Sequence, residues 1–132
     1  MPDASFRNRV LIVDDDPAVR ETFRRILVDA GFQVMAVSGG AAALATLHDD
    51  PTIGLMLLDL EMPEVDGLAV RRAQLADPQL SSVPTVIVSG SGDLRSDWAD
   101  LCADDYLPKP FLRRQLLEVV SRYCKPERGS NL

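Results

Sequence analysis

A doubly wound α/β domain, five parallel strands with helices on both faces, is the fold class this sequence predicts. Three observations predict it. Short apolar runs recur five times, and segments of helical periodicity separate them. Three of the runs are nearly unbroken Val, Ile, Leu and Met, the composition of strands covered on both faces. With 132 residues the chain suits one domain with a real core and is short for two.

The strands are predicted at "VLIV" (10–13), "QVMAVS" (33–38), "GLMLLD" (54–59), "TVIVS" (85–89) and "DYLPK" (105–109). Between the first two, Val19, Phe23, Ile26, Leu27 and Ala30 form one apolar stripe at helical spacing. Asp16 is placed as the N-cap of that helix, Pro17 as its first residue and Gly31 as its stop. The last helix repeats the pattern with Leu112, Leu116, Val119, Val120 and Tyr123. Three middle helices carry weaker signals: "GGAAALATLHDD" is Ala-rich, "GLAVRRAQLAD" is weakly amphipathic, and "DLRSDWADLC" is short.

Composition excludes several roles. Hydrophobic residues are 46% and charged residues 26%, ordinary for a globular chain and unlike a disordered one. A formal charge of −6 disfavours direct nucleic-acid or anionic-membrane binding. Cys102 and Cys124 are too few for a disulfide framework and lack metal-ligand spacing, so both are expected as reduced thiols. No apolar run approaches the roughly 20 residues of a membrane span, and the first residues have no signal-peptide core. A soluble, cytoplasmic protein is expected.

Polar residues collect where the strands stop. Asp14, Asp15 and Asp16 follow the first, Asp59 ends the third, Ser89 ends the fourth, and Lys109 closes the fifth. Ligands of open α/β sheets bind at this carboxyl edge, so groups scattered in sequence are expected to converge. Singly, each has a plainer reading: Asp16 as a helix cap, Ser89 as a turn residue, Lys109 as a surface lysine, Asp66-Gly67 as a turn, Trp98 as packing, His48 as an exposed side chain. Only the combination is specific. Two carboxylates about 4 Å apart repel by roughly 4 kcal/mol at an effective dielectric near 20. Asp14, Asp15 and Asp59 together therefore need raised pKa values, a lysine or a divalent cation. Hard oxygen donors with open positions suit Mg²⁺, which keeps waters and bridges to phosphate. One carboxylate could then act as nucleophile towards a phosphoryl group while the cation and Lys109 neutralise its oxygens.

The segments "LIVDDDPAVRETFRRIL", "LLDLEMPEVDGL", "VIVSGSGD" and "DDYLPKPF" resemble, in order and over nearly the whole chain, the four signature blocks of response-regulator receiver domains. The resemblance implies a flavodoxin-like strand order 2-1-3-4-5, an example of which is a chemotaxis receiver. It implies that Asp59 is the phosphoacceptor, charged by a sensor histidine kinase or a histidine phosphotransfer protein. Asp14 and Asp15 match the acidic pair that holds Mg²⁺ with Asp59 and the backbone carbonyl of Glu61. Lys109 matches the lysine that pairs with the phosphoryl group, Ser89 the switch hydroxyl and Tyr106 the aromatic that turns inward with it. The backbone N–H groups of Leu60 and Gly90 are expected to complete the anion cradle, and Pro110 matches a position usually preceded by a cis peptide.

Three departures stand out. Gly90 replaces a usual alanine, which should loosen its loop. The stretch from Ser89 to Lys109 is shorter than the family norm, with Cys102 near a common glycine. Glu61 and Ser91 hold the variable positions that flank the site.

The expected organisation is an N-terminal extension over 1–8, a receiver over 9–124 and a tail or linker stub over 125–132. The expected function is a phosphorylation-controlled binding switch, monomeric or dimerising on phosphorylation, that signals to a downstream protein. Rival readings are a haloacid-dehalogenase-like phosphatase, suggested by "DLE", a flavin binder, and a receiver cut from a hybrid kinase or multidomain regulator. The phosphatase family wants Asp in place of Glu61 and its acidic pair after the first strand. A flavin phosphate would be repelled by "DDDP".

Overall fold

The nearly unbroken apolar segments form the middle of a five-stranded parallel sheet. The computed structural model describes residues 7–60, 67–90 and 102–127. Its strands are β1 (Arg9–Val13), β2 (Gln33–Val37), β3 (Ile53–Asp59), β4 (Thr85–Ser89) and β5 (Asp105–Pro108), in the order β2-β1-β3-β4-β5. Every residue of β3 and β4 is buried, whereas β2 at one edge is half-exposed. The helices are α1 (Pro17–Asp29), α2 (Gly40–Asp49), α3 (Gly67–Ala76) and α4 (Arg113–Ser121).

Alternation along the strands divides the core into two layers. Val10, Ile12, Leu55, Leu57, Val86, Val88 and Leu107 pack under Phe23 and Leu27 of α1 and Leu116, Val119 and Val120 of α4. Leu11, Val13, Met56, Leu58 and Ile87 pack on the opposite face, against Ala43 and Leu47 of α2 and Val70 of α3. Each fully buried Leu or Ile contributes about 1.5–3 kcal/mol, so these layers are the main source of stability.

The ends of α1 follow its sequence. The Asp16 carboxylate accepts from the N–H groups of Ala18 and Val19, satisfying donors that the first turn leaves open. At the other end Gly31 has φ 96°, its N–H donates to the Val28 carbonyl, and Phe32 N–H donates to that of Leu27. This paired pattern closes the helix through the left-handed conformation that glycine adopts without steric cost.

Some expectations need amending. Leu112, expected on the apolar stripe of the last helix, is 58% exposed at the N-cap of α4. Phe111 takes the inward place instead, its ring stacked on Phe23 at 5.3 Å. Near the chain ends, Asn8 donates to the Lys125 carbonyl and accepts from its N–H, both at 2.7 Å. Glu127 N–H donates to the Gly31 carbonyl at 2.7 Å. The helix expected over 93–102, apart from Cys102, and the residues Glu61, Asp66, Ser91 and Trp98 lie outside the described residues.

Candidate functional site

With the order β2-β1-β3-β4-β5, connections leave the sheet in opposite directions from β1 and β3, which opens a crevice at their carboxyl ends. Asp14 directly follows β1 and Asp59 is the last residue of β3. Asp14, Asp15 and Asp59 each bring a carboxylate oxygen to within 4.8 Å of the other two. Lys109 arrives from the end of β5, its backbone N–H donating to the Ser89 carbonyl at 2.9 Å. Its Nζ lies 3.7 Å from Asp14 Oδ2 and 3.8 Å from Asp59 Oδ1. The Lys109–Pro110 peptide is cis.

Asp14 is held from several sides. Its N–H donates to the Val37 carbonyl at 3.2 Å, and its Oδ1 accepts from the Asp16 N–H at 2.9 Å. Its carbonyl oxygen accepts from Arg20 Nη1 at 2.9 Å. Oδ2 is buried and finds no hydrogen-bond donor among the described residues. Asp15, by contrast, is exposed, so the cluster has one wet wall and two dry ones.

The charge balance is negative. Among the described residues, three carboxylates face one ammonium. At 4.8 Å each carboxylate pair repels by about 3.5 kcal/mol at an effective dielectric near 20. A buried, unsatisfied carboxylate oxygen is costly unless a cation or donor meets it. An all-oxygen set with one solvent-open side fits Mg²⁺, which retains waters, better than zinc, which favours nitrogen and sulfur.

Ser89 and Tyr106 lie on one face of the sheet. Ser89 pairs in register with Pro108, and Ile87 with Tyr106, so the aromatic stands one step back on the neighbouring strand. Ser89 is buried, and Tyr106 is half-buried against the layer of α2 and α3. Gly90 is exposed beside them. The Leu60 N–H donates to the Val88 carbonyl at 3.2 Å, continuing the β3–β4 ladder past Asp59. Gly67 at the start of α3 has a steric role that the reading of Asp66-Gly67 as a turn missed. A Cβ there would meet the Asp59 carbonyl oxygen at 2.4 Å, so only glycine lets α3 begin against the tip of β3.

The model of the response regulator receiver domain family matches residues 10–121. The chain belongs to this family. It is 38% identical over 113 residues to the transcriptional regulatory protein GltR of Pseudomonas aeruginosa, covering 84% of this chain and 46% of GltR. It spans about half the length of the curated relatives it matches. A response regulator receiver protein from Pseudomonas putida superimposes with TM-score 0.81 at 33% identity, over 88% of this chain and 97% of that one. The receiver domain of sensor histidine kinase PA1611 from Pseudomonas aeruginosa has the same fold, with TM-score 0.81 at 24% identity over 88% and 96% of the chains; that structure has a magnesium ion coordinated in its active-site cleft. Neither the family nor the fold supports the phosphatase alternative.

The receiver has a second polar cluster that sequence reasoning missed, at the opposite edge of the sheet. Arg71 on α3 is 2% exposed. It donates to Gln74 Oε1 at 2.6 Å, Thr85 Oγ1 at 2.9 Å and the Cys102 carbonyl at 2.8 Å, and lies 3.8 Å from Asp104 Oδ2. Gln74 Nε2 in turn donates to the Leu80 and Val83 carbonyls, and Asp104 Oδ2 accepts from Thr85 N–H. Burial pulls the Arg71 guanidinium below the ordinary arginine range, with Asp104 opposing. Cys102 has φ 51°, a left-handed conformation that glycine adopts more readily than a residue with a Cβ.

Of the two thiols, Cys102 is exposed and Cys124 is buried, its pKa pushed up to about 12 by desolvation. His48 is exposed in the last turn of α2, as expected. Among the described residues no helix is long and apolar enough to cross a membrane.

Proposed function

We propose that this receiver accepts a phosphoryl group on Asp59 from a phosphohistidine of a sensor histidine kinase or a phosphotransfer protein, in the cytoplasm, and that the phosphorylated state is read by a downstream protein. A carboxylate oxygen of Asp59 attacks phosphorus, the P–N bond to the donor imidazole breaks, and the imidazole leaves with the bonding pair. Asp14, Asp15 and Asp59, with the Glu61 carbonyl, would hold Mg²⁺. When bound, the ion supplies charge neutralisation for the transferred oxygens. Lys109 offers a second positive charge from the β5 side, where its contact with the Ser89 carbonyl fixes its origin. The Ser89 hydroxyl and the Gly90 N–H would bind phosphoryl oxygens, and Tyr106, packed on the same face of the sheet, would follow the Ser89 side chain. These contacts bias a two-state equilibrium towards the partner-binding conformation.

The observation that supports this most is the convergence of two buried carboxylates, one with an orphaned oxygen, on the Lys109 ammonium at the switch point of the sheet. An acyl phosphate donor tests it. Mg²⁺-dependent, alkali-labile labelling is expected in the wild type and is lost in Asp59→Asn. Labelling unchanged in that variant would overturn the assignment.

A further inference from the structure

We infer that Arg20 is a positioning residue for the metal-binding acids, acting through the backbone of Asp14. This rests on the reading of the site as a Mg²⁺-dependent phosphoacceptor and deepens it. Every polar atom of Asp14 except Oδ2 has a partner: the N–H on Val37, Oδ1 on the Asp16 N–H, and the carbonyl on Arg20 Nη1. The Asp16 N–H is itself fixed, because the Asp16 side chain caps α1. Arg20 lies further along that helix and is half-buried. The first turns of α1 therefore grip Asp14 at two atoms, while Oδ2, which accepts no hydrogen bond among the described residues, lies 3.7 Å from the Lys109 ammonium.

The physical consequence is preorganisation. Groups that orient a metal's direct ligands change its affinity by about 10- to 100-fold when removed. Arg20 also carries charge, and a guanidinium repels a dication, so its removal has two opposing effects. The guanidinium is committed to the Asp14 carbonyl and is only half-buried, so solvent screens its charge and the orienting effect wins. Of the neighbouring arginines on α1, Arg24 is paired with Glu21 at 2.6 Å on the exposed surface and makes no such contact with the acids.

The test is a Mg²⁺ titration of the unphosphorylated full chain, followed by amide shifts of residues 14–16 and 59 and by calorimetry. Arg20→Met keeps the alkyl stem and removes the donor, so the fold is retained; its Mg²⁺ affinity should fall about tenfold, the lower end of the range for such partners. Arg20→Lys, which restores a charged donor, should recover part of the loss, and Arg24→Ala should bind as the wild type does. Arg20→Met binding as tightly as the wild type or more tightly, or Arg20→Lys no better than Arg20→Met, overturns the inference. A wild type that binds no Mg²⁺ at these residues breaks the underlying reading of the site instead.

Discussion

Two buried polar clusters lie at opposite edges of one sheet, and they are built on opposite terms. At the amino edge of β4 and β5, Arg71, Gln74, Thr85 and Asp104 close a network in which the guanidinium, the amide and the hydroxyl all have partners. At the carboxyl edge, among the described residues, Asp14, Asp15 and Asp59 outnumber the ammonium of Lys109, and the buried Asp14 Oδ2 accepts no hydrogen bond. The first cluster spends its polarity on holding α3 and the residues before β5 in place. The second is incomplete as protein alone, and completing it is the chemistry. Satisfaction marks the structural cluster, and the excess of one sign marks the functional one.

The sharpest way to break this contrast is to remove one member from each cluster and compare stabilities without Mg²⁺. Arg71→Met should cost about 1.5–3 kcal/mol, because it removes the charged donor shared by Gln74 Oε1, Thr85 Oγ1 and the Cys102 carbonyl. A denaturant midpoint measures it, and a loss under about 1 kcal/mol would mean that the network is not a structural tie.

Alkaline unfolding must be assigned before it is credited to that arginine. The Cys124 thiol is raised from 9.0 to about 12 by burial, so it stays neutral in the folded state while an unfolded thiol ionises. Its contribution is fully present below about pH 9 and is lost as pH rises through the window to about 12. Stability should fall by about 1.4 kcal/mol per pH unit in that window. Cys124→Ala should flatten that slope, and a slope unchanged in the variant would place the titration elsewhere.

A smaller effect of opposite sign is expected at the carboxyl edge. Asp59→Asn removes one partner from carboxylate pairs that each repel by about 3.5 kcal/mol, partly offset by losing Lys109, so it should stabilise the metal-free chain by about 1–2 kcal/mol. If instead it destabilises as Arg71→Met does, the two clusters do not differ in kind. Least of all, Cys102→Gly should stabilise by less than about 1 kcal/mol, relief of the φ 51° backbone being partly offset by the entropy of an unfolded glycine. A clear loss of melting temperature would contradict this.

The sequence was most legible where burial and apolarity coincide. The strands, α1 with its Asp16 cap and its Gly31 stop, and the residues at the carboxyl edge could all be read from spacing, and the receiver blocks added roles for them. It was least legible on α3. The buried stripe there is Gly67, Val70, Arg71 and Gln74, at helical spacing but half polar, so its amphipathicity looks weak although its burial is complete. Only the partners of Arg71 and Gln74 justify that burial, and they come from the turn after α3, from β4 and from the residues before β5. Leu112 failed for a related reason: the ring stack of Phe111 on Phe23 chooses which neighbour turns inward, and spacing alone cannot. The hold of Arg20 on the Asp14 carbonyl has no sequence signal beyond its place on α1.

The chemistry of the carboxyl edge turns on which carboxylate carries phosphorus. Treating the Mg²⁺-loaded chain with an acyl phosphate, trapping the acyl phosphate product by borohydride reduction and locating the modified residue by mass spectrometry gives a direct answer. The modification is predicted at residue 59, absent when the ion is chelated. Its appearance at Asp14 or Asp15, or its persistence without the ion, would contradict the assignment.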